Sequence, residues 1–140
     1  MLTPTASNPS VARGVLAEVS AERIVLEVPG TSYRVQLQVY QPPRTAVGKR
    51  IIGTIRANAK RVDVVVTGGR YLEPVYGRPR RLQGEVVGID AGENSITVDA
   101  TIPIVCKLTD PRQKAGDFKV GDFVALDVTP GATFTPSAGA

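Results

Sequence analysis

Histidine is absent from this chain, and with it the side chain most often used as a general base near neutral pH. No serine or cysteine therefore has a triad partner, and neither a P-loop nor a Rossmann glycine pattern occurs. The expectation is a protein that is not an enzyme, with no small-molecule substrate in evidence. The lack of histidine and the presence of a single cysteine, Cys106, also remove the usual zinc ligand sets, so no metal and no cofactor are expected. One cysteine forms no internal disulfide, which points to a reducing compartment and a cytoplasmic location. Tryptophan is missing and aromatics make up only 5% of the residues, which limits stacking against bases. No apolar run approaches the roughly 20 residues of a spanning helix. The opening stretch MLTPTASNPS has neither the basic nor the apolar region of a signal peptide, so no membrane association is expected.

What the chain has is short alternating runs rich in β-branched residues, the pattern of an all-β protein. Residues 13–19 read as a first strand with Val15, Ala17 and Val19 inward, and residues 23–28 as a second with Ile24, Leu26 and Val28 inward. Pro29-Gly30 marks a turn. Residues 32–40 alternate most cleanly, placing Tyr33, Val35, Leu37 and Val39 on one face and Arg34, Gln36, Gln38 and Tyr40 on the other. Pro42-Pro43 forbids a ladder, so 41–48 is a loop. Residues 49–57 form a fourth strand with Ile51, Gly53 and Ile55 inward. Asn58-Ala59 reads as a turn, and residues 60–66 as a fifth strand with Val62, Val64 and Val66 inward. Residues 1–10 and 136–140 read as extended or flexible arms.

The pattern then returns. Gly84, Val87 and Ile89 repeat Gly14, Ala17 and Val19. Ile96 and Val98 repeat the second strand, and Ile104, Cys106 and Leu108 the third, with Cys106 aligned to Val35. Val120-Gly121 repeats Val47-Gly48 ahead of a fourth strand through Val124, Leu126 and Val128, and residues 132–135 make a short fifth. The reading is a duplicated unit, residues 11–67 and 82–136, joined by a linker over 68–81, GGRYLEPVYGRPRR, whose Pro and Gly break regular structure.

Five short strands with tight hairpins and a longer third-to-fourth link resemble the OB-fold, and the second unit is similar to small bacterial OB-like domains of unassigned role. The resemblance implies two tandem five-stranded OB-like barrels. It also implies a ligand face on strands two and three, bounded by the first and last hairpins. A PilZ-type barrel is also similar in outline, but its paired arginine and Asp-x-Ser-x-x-Gly signatures are missing.

Charge divides the chain. Residues 1–81 carry 13 Lys and Arg against 5 Asp and Glu, and residues 82–140 carry 4 against 8. The basic half suits a polyanion. On the resemblance, the candidate nucleic-acid-binding residues are Arg34, Gln36, Gln38 and Tyr40 on the strand face and Asn58, Lys60 and Arg61 at the last hairpin. Arg70, Tyr71, Tyr76, Arg78, Arg80 and Arg81 add phosphate and stacking contacts from a mobile linker. Thr97, Asp99, Val105 and Lys107 occupy the matching places in the second unit and form a poor polyanion site, so Lys107 is expected to matter little. The expected function is non-enzymatic binding of single-stranded or structured nucleic acid. The alternative is an assembly protein whose oppositely charged halves mediate self-association or contact a protein partner.

Overall fold

A computed structural model describes residues 9–66 and 68–137. The expected arms at residues 1–8 and 138–140 lie outside the described residues. Eleven strands form one mixed sheet. They are β1 (Ala12–Val19), β2 (Arg23–Glu27), β3 (Arg34–Gln38), β4 (Arg50–Val64), β5 (Tyr71–Glu73), β6 (Tyr76–Gly77), β7 (Arg81–Asp90), β8 (Ser95–Asp99), β9 (Pro103–Leu108), β10 (Phe123–Val128) and β11 (Thr133–Pro136). A single 3-10 turn, Ala115–Asp117, precedes β10. The all-β expectation therefore holds, and the sheet does not part at the 68–81 segment. Along it the strands run β1-β2-β3-β11-β4-β10-β7-β8-β9, with further pairings of β4 to β1 and to β9.

Strand pairings in the two halves match at several points. Leu16 faces Leu26 and Gly14 faces Ile51 in the first half, as Val86 faces Val98 and Gly84 faces Val124 in the second. A bulge breaks the first hairpin at the same place in both, between Leu16 and Glu18 and between Val86 and Gly88. Gly48 donates its N–H to the Leu16 carbonyl, and Gly121 donates to that of Val86. Both glycines sit at positive φ, 92° and 101°, which explains why Val-Gly recurs there. Gly14 and Gly84 recur for another reason. A Cβ at either would lie 2.7 Å from the Leu26 side chain or 2.1 Å from the Asp99 carbonyl oxygen, so only glycine lets the strands approach so closely.

The inward faces assigned to strands two and three, and to 49–57, are buried as expected apart from the half-buried Tyr33, but four assignments change. Asn58-Ala59 is not a turn: β4 runs through it for 15 residues. The shift in hydrophobic phase that suggested a turn is a β-bulge, because Leu126 faces Val62 while Val128 faces Ala59, with Lys60 and Arg61 both exposed between them. Beyond the bulge only Val62 is buried; Val64 and Val66 are 57% and 96% exposed rather than inward. In β1 the buried side is Ala12 and Leu16 rather than Val15 and Ala17, and Val19 is exposed although, past the bulge, it faces the buried Ile24. Cys106 matches Leu37, not Val35: Val35 faces Leu26 as Ile104 faces Val98. The misalignment arises in one turn. Pro29–Ser32 close it in the first half, whereas Thr101 alone, at φ 90°, closes it in the second.

The exchange of strands is the main departure from two consecutive units. Residues 59–64 of β4, in sequence the last strand of the first half, pair with β10. Strand β11, the last of the second half, pairs antiparallel with residues 53–56 of β4 and meets β3 through Thr133 and Gln38. Each half thus completes the other, and the buried side chains form one continuous core from Ala12 to Phe134. Gln113 seals the exposed edge beyond the exchange, accepting from the Val62 N–H at 2.9 Å and donating to its carbonyl at 2.7 Å. An amide side chain here takes the place of a strand, which blunts an open edge.

Cys106 lies on the inward face of β9, fully buried, with its thiol directed at the Ile104 carbonyl. Burial pushes its pKa up to about 12, so it is a neutral thiol at physiological pH. A thiol reagent is expected to label it only when the protein unfolds. Cys106→Val should cost less than about 1.5 kcal/mol, as near-isosteric core exchanges do. Labelling in native buffer as fast as in denaturant would contradict the buried assignment.

Candidate functional site

The 68–81 segment is not a mobile arm. Tyr71–Glu73 pair with Arg81–Gln83, and Tyr76–Gly77 pair in parallel with Arg34–Val35. Leu72 and Pro79 are buried, which draws the backbone onto the sheet. Two of its four cations, Arg70 and Arg81, are engaged. Arg70 is ion-paired to Glu85, lies 3.7 Å from Asp99 and stacks at 5.5 Å over the Phe123 ring. Arg81 donates to Asp127 at 2.9 Å, a contact that raises its pKa, with Tyr71 adding to the effect. Tyr76 donates its hydroxyl to Glu18 at 2.9 Å, and that bond holds the phenol above its usual pKa. Arg78 and Arg80 are exposed.

The strand-face candidates divide in the same way. Arg34 is paired to Glu27 at 3.0 Å and lies 5.9 Å from the Tyr76 ring centre, and Arg61 is paired to Asp63 at 3.0 Å. Gln36 is half-buried beside them, and Lys60 is exposed at the β4 bulge. A cation already facing a carboxylate is a weaker phosphate ligand, because binding must first separate the pair.

Gln38, Tyr40 and Asn58 lie elsewhere, in or beside a groove of about 840 Å³ built across both halves. Its floor follows from the pairing, since cross-strand partners share a face. One row crosses β7, β8, β9 and β4 through Asp90, Ser95, Lys107 and Asn58. The next row runs through Gly88, Thr97, Val105, Arg56 and Thr133, and continues through Gln38 on β3. Tyr40, 90% exposed, stands at the rim. Ser10 reaches in from the N-terminal side, its hydroxyl 3.0 Å from that of Thr97.

Arg56 and Lys107 are diagonal neighbours on this floor, and no described carboxylate pairs with either. Around them stand the hydroxyls of Thr54, Ser95, Thr97 and Thr133 and the amide of Asn58. The acids at the groove, Asp90 and Glu93, belong to the β7–β8 hairpin at one end, where Asp90 Oδ1 accepts from the Glu93 N–H. The floor thus presents two cations flanked by neutral hydroxyl and amide groups. Sequence reasoning dismissed Lys107 and did not single out Arg56. Alternation marked both as outward, but nothing local announces that β9 lies parallel to β4.

No family model, no curated protein and no solved structure matches this chain. Among the described residues no helix is long and apolar enough to cross a membrane.

Proposed function

We propose that this is a non-enzymatic protein that binds single-stranded nucleic acid along the β8–β9–β4 face. On this reading it consists of two OB-like lobes that have traded their fifth strands. The observation that carries it is the placement of Arg56 and Lys107, diagonal neighbours free of described carboxylate partners, on the floor of a groove of about 840 Å³. The groove lies over the strands equivalent to the OB-fold ligand face in the second half, and the exchanged strands extend it into the first. Arg34, Arg61, Arg70, Arg81, Tyr71 and Tyr76 then serve mainly to fasten the linker and edges. Arg78, Arg80 and Lys60 add a general positive field.

Titration of the full chain into a labelled 12-nucleotide single strand tests the proposal. Binding should be clear at about 50 mM salt and fall steeply by about 200 mM, as counterion release requires. An absence of binding at the lower salt overturns it. One observation favours the assembly reading as the second choice. Val64, the last residue of β4, and Val66 just beyond it are exposed, and an apolar strand end of that kind invites pairing with another chain. Gel filtration showing an oligomer that ignores nucleic acid would move that reading to first place.

A further inference from the structure

We infer that the groove recognises the ribose 2′-hydroxyl and so takes RNA in preference to DNA, an inference that rests on the nucleic-acid reading above. It starts from Ser95. This residue is only 6% exposed, lines the groove, and its hydroxyl has no hydrogen-bond partner among the described residues. The buried hydroxyl oxygen sealed away without a partner is that of Thr101; the Ser95 oxygen is not in that state, because it opens onto the groove. A nearly buried hydroxyl that both donates and accepts suits a ligand group of the same kind.

Its neighbours define which group. Ser95 faces Lys107 across one strand pair and Asp90 across the other, and Asn58 lies beyond Lys107. Adjacent strands are about 4.8 Å apart, so a phosphate held by Lys107 brings the attached sugar within reach of Ser95. Asp90 repels a phosphate but accepts a hydrogen bond from a sugar hydroxyl. The row therefore orients the chain, with phosphates toward Lys107 and Arg56 and the sugar edge toward Ser95 and Asp90. Base stacking, which RNA and DNA offer equally, has Tyr40 as its aromatic platform in this groove. The sugar edge consequently supplies a large share of the discrimination, and the 2′-hydroxyl is the group that differs.

The test uses the full chain and two labelled 12-mers of one base, oligouridylate and oligodeoxyuridylate, followed by fluorescence anisotropy at about 50 mM salt. The RNA should bind about tenfold tighter, as a site built to bond a hydroxyl disfavours the analogue lacking it. Ser95→Ala should bring RNA affinity close to that of DNA while leaving DNA affinity within about twofold. Asp90→Asn, which keeps an acceptor but removes the charge, should strengthen binding of both oligomers. Equal affinities of the wild-type protein for the two, or tighter DNA binding, overturn the ribose inference and leave the binding reading standing. No binding to either overturns both.

Discussion

Alanine at Arg56 and Lys107 together should flatten the log–log salt dependence of single-strand binding by about 1.4, at about 0.7 for each phosphate released. At about 50 mM salt the same variant should lose ten- to a hundredfold in affinity. Alanine at Arg34, Arg61, Arg70 and Arg81 should leave the slope within about 0.5, because those guanidinium groups already face Glu27, Asp63, Glu85 and Asp127. The comparison separates a defined site from a general basic surface. If the two variants flatten the slope equally, binding is governed by total charge and the groove is not the site. Arg56 and Lys107 are exposed and have no carboxylate partner among the described residues, so the melting temperature of the double variant should stay near that of the parent.

Phe134→Ala is expected to produce the largest loss of stability, about 3–5 kcal/mol, as truncation of a buried phenylalanine does. Phe134 is 1% exposed and pairs with Ile55, so its ring fills the first half of the fold although it lies near the end of the second in sequence. Hydrogen exchange should locate the loss in β3 and in residues 50–56 of β4. Protection that falls instead in β8 and β9 would contradict the strand exchange. Gly53 provides the space for the ring: a Cβ there would lie 2.4 Å from Phe134 Cζ. Gly53→Ala alone should therefore destabilise through overpacking. Combined with Phe134→Ala it should cost less than the sum by about 1 kcal/mol or more, since the new methyl group enters the space the ring has left. Strict additivity of the two would show that the glycine and the ring do not share that space.

The binding groove and the exchanged strands have one origin. Strand β4 is long enough to serve both halves: residues 50–56 pair with β1 and β11, and residues 56–64 with β9 and β10. Arg56 lies where these regions meet, with Val105 on one side and Thr133 on the other. Had the chain turned at Asn58, as its sequence suggests, Asn58 would have ended at a hairpin tip, away from Lys107. The bulge at Lys60 and Arg61 instead lets the strand continue while its inward face changes phase.

Local pattern by itself determined the strand content, the duplication and most of the buried face. Alternation at Ile24, Leu26, Val35, Leu37, Ile51 and Ile55 reports a period of two, and that period depends only on backbone geometry. The repeated Gly14/Gly84 and Gly48/Gly121 were legible too, because a close strand approach or a positive φ restricts the residue at that one position. Of the site, Gln38 and Tyr40 were visible as outward polar residues on a predicted strand and Asn58 as a residue of a predicted turn, whereas Arg56 and Lys107 were not recognised as a pair. Tertiary structure decided the rest. A phase change at residues 58–61 has two local solutions, a turn or a bulge, and the choice depends on whether β10 lies alongside to receive residues 59–64. The engagement of Arg34, Arg70 and Arg81 likewise depends on which carboxylates the fold brings within 4 Å, and for Arg70 and Arg81 those come from Glu85, Asp99 and Asp127 of the second half. Charge counts fixed the total, but the pairing of strands determined which cations remain available to a ligand, because only the long-range register sets the distances between side chains on different strands.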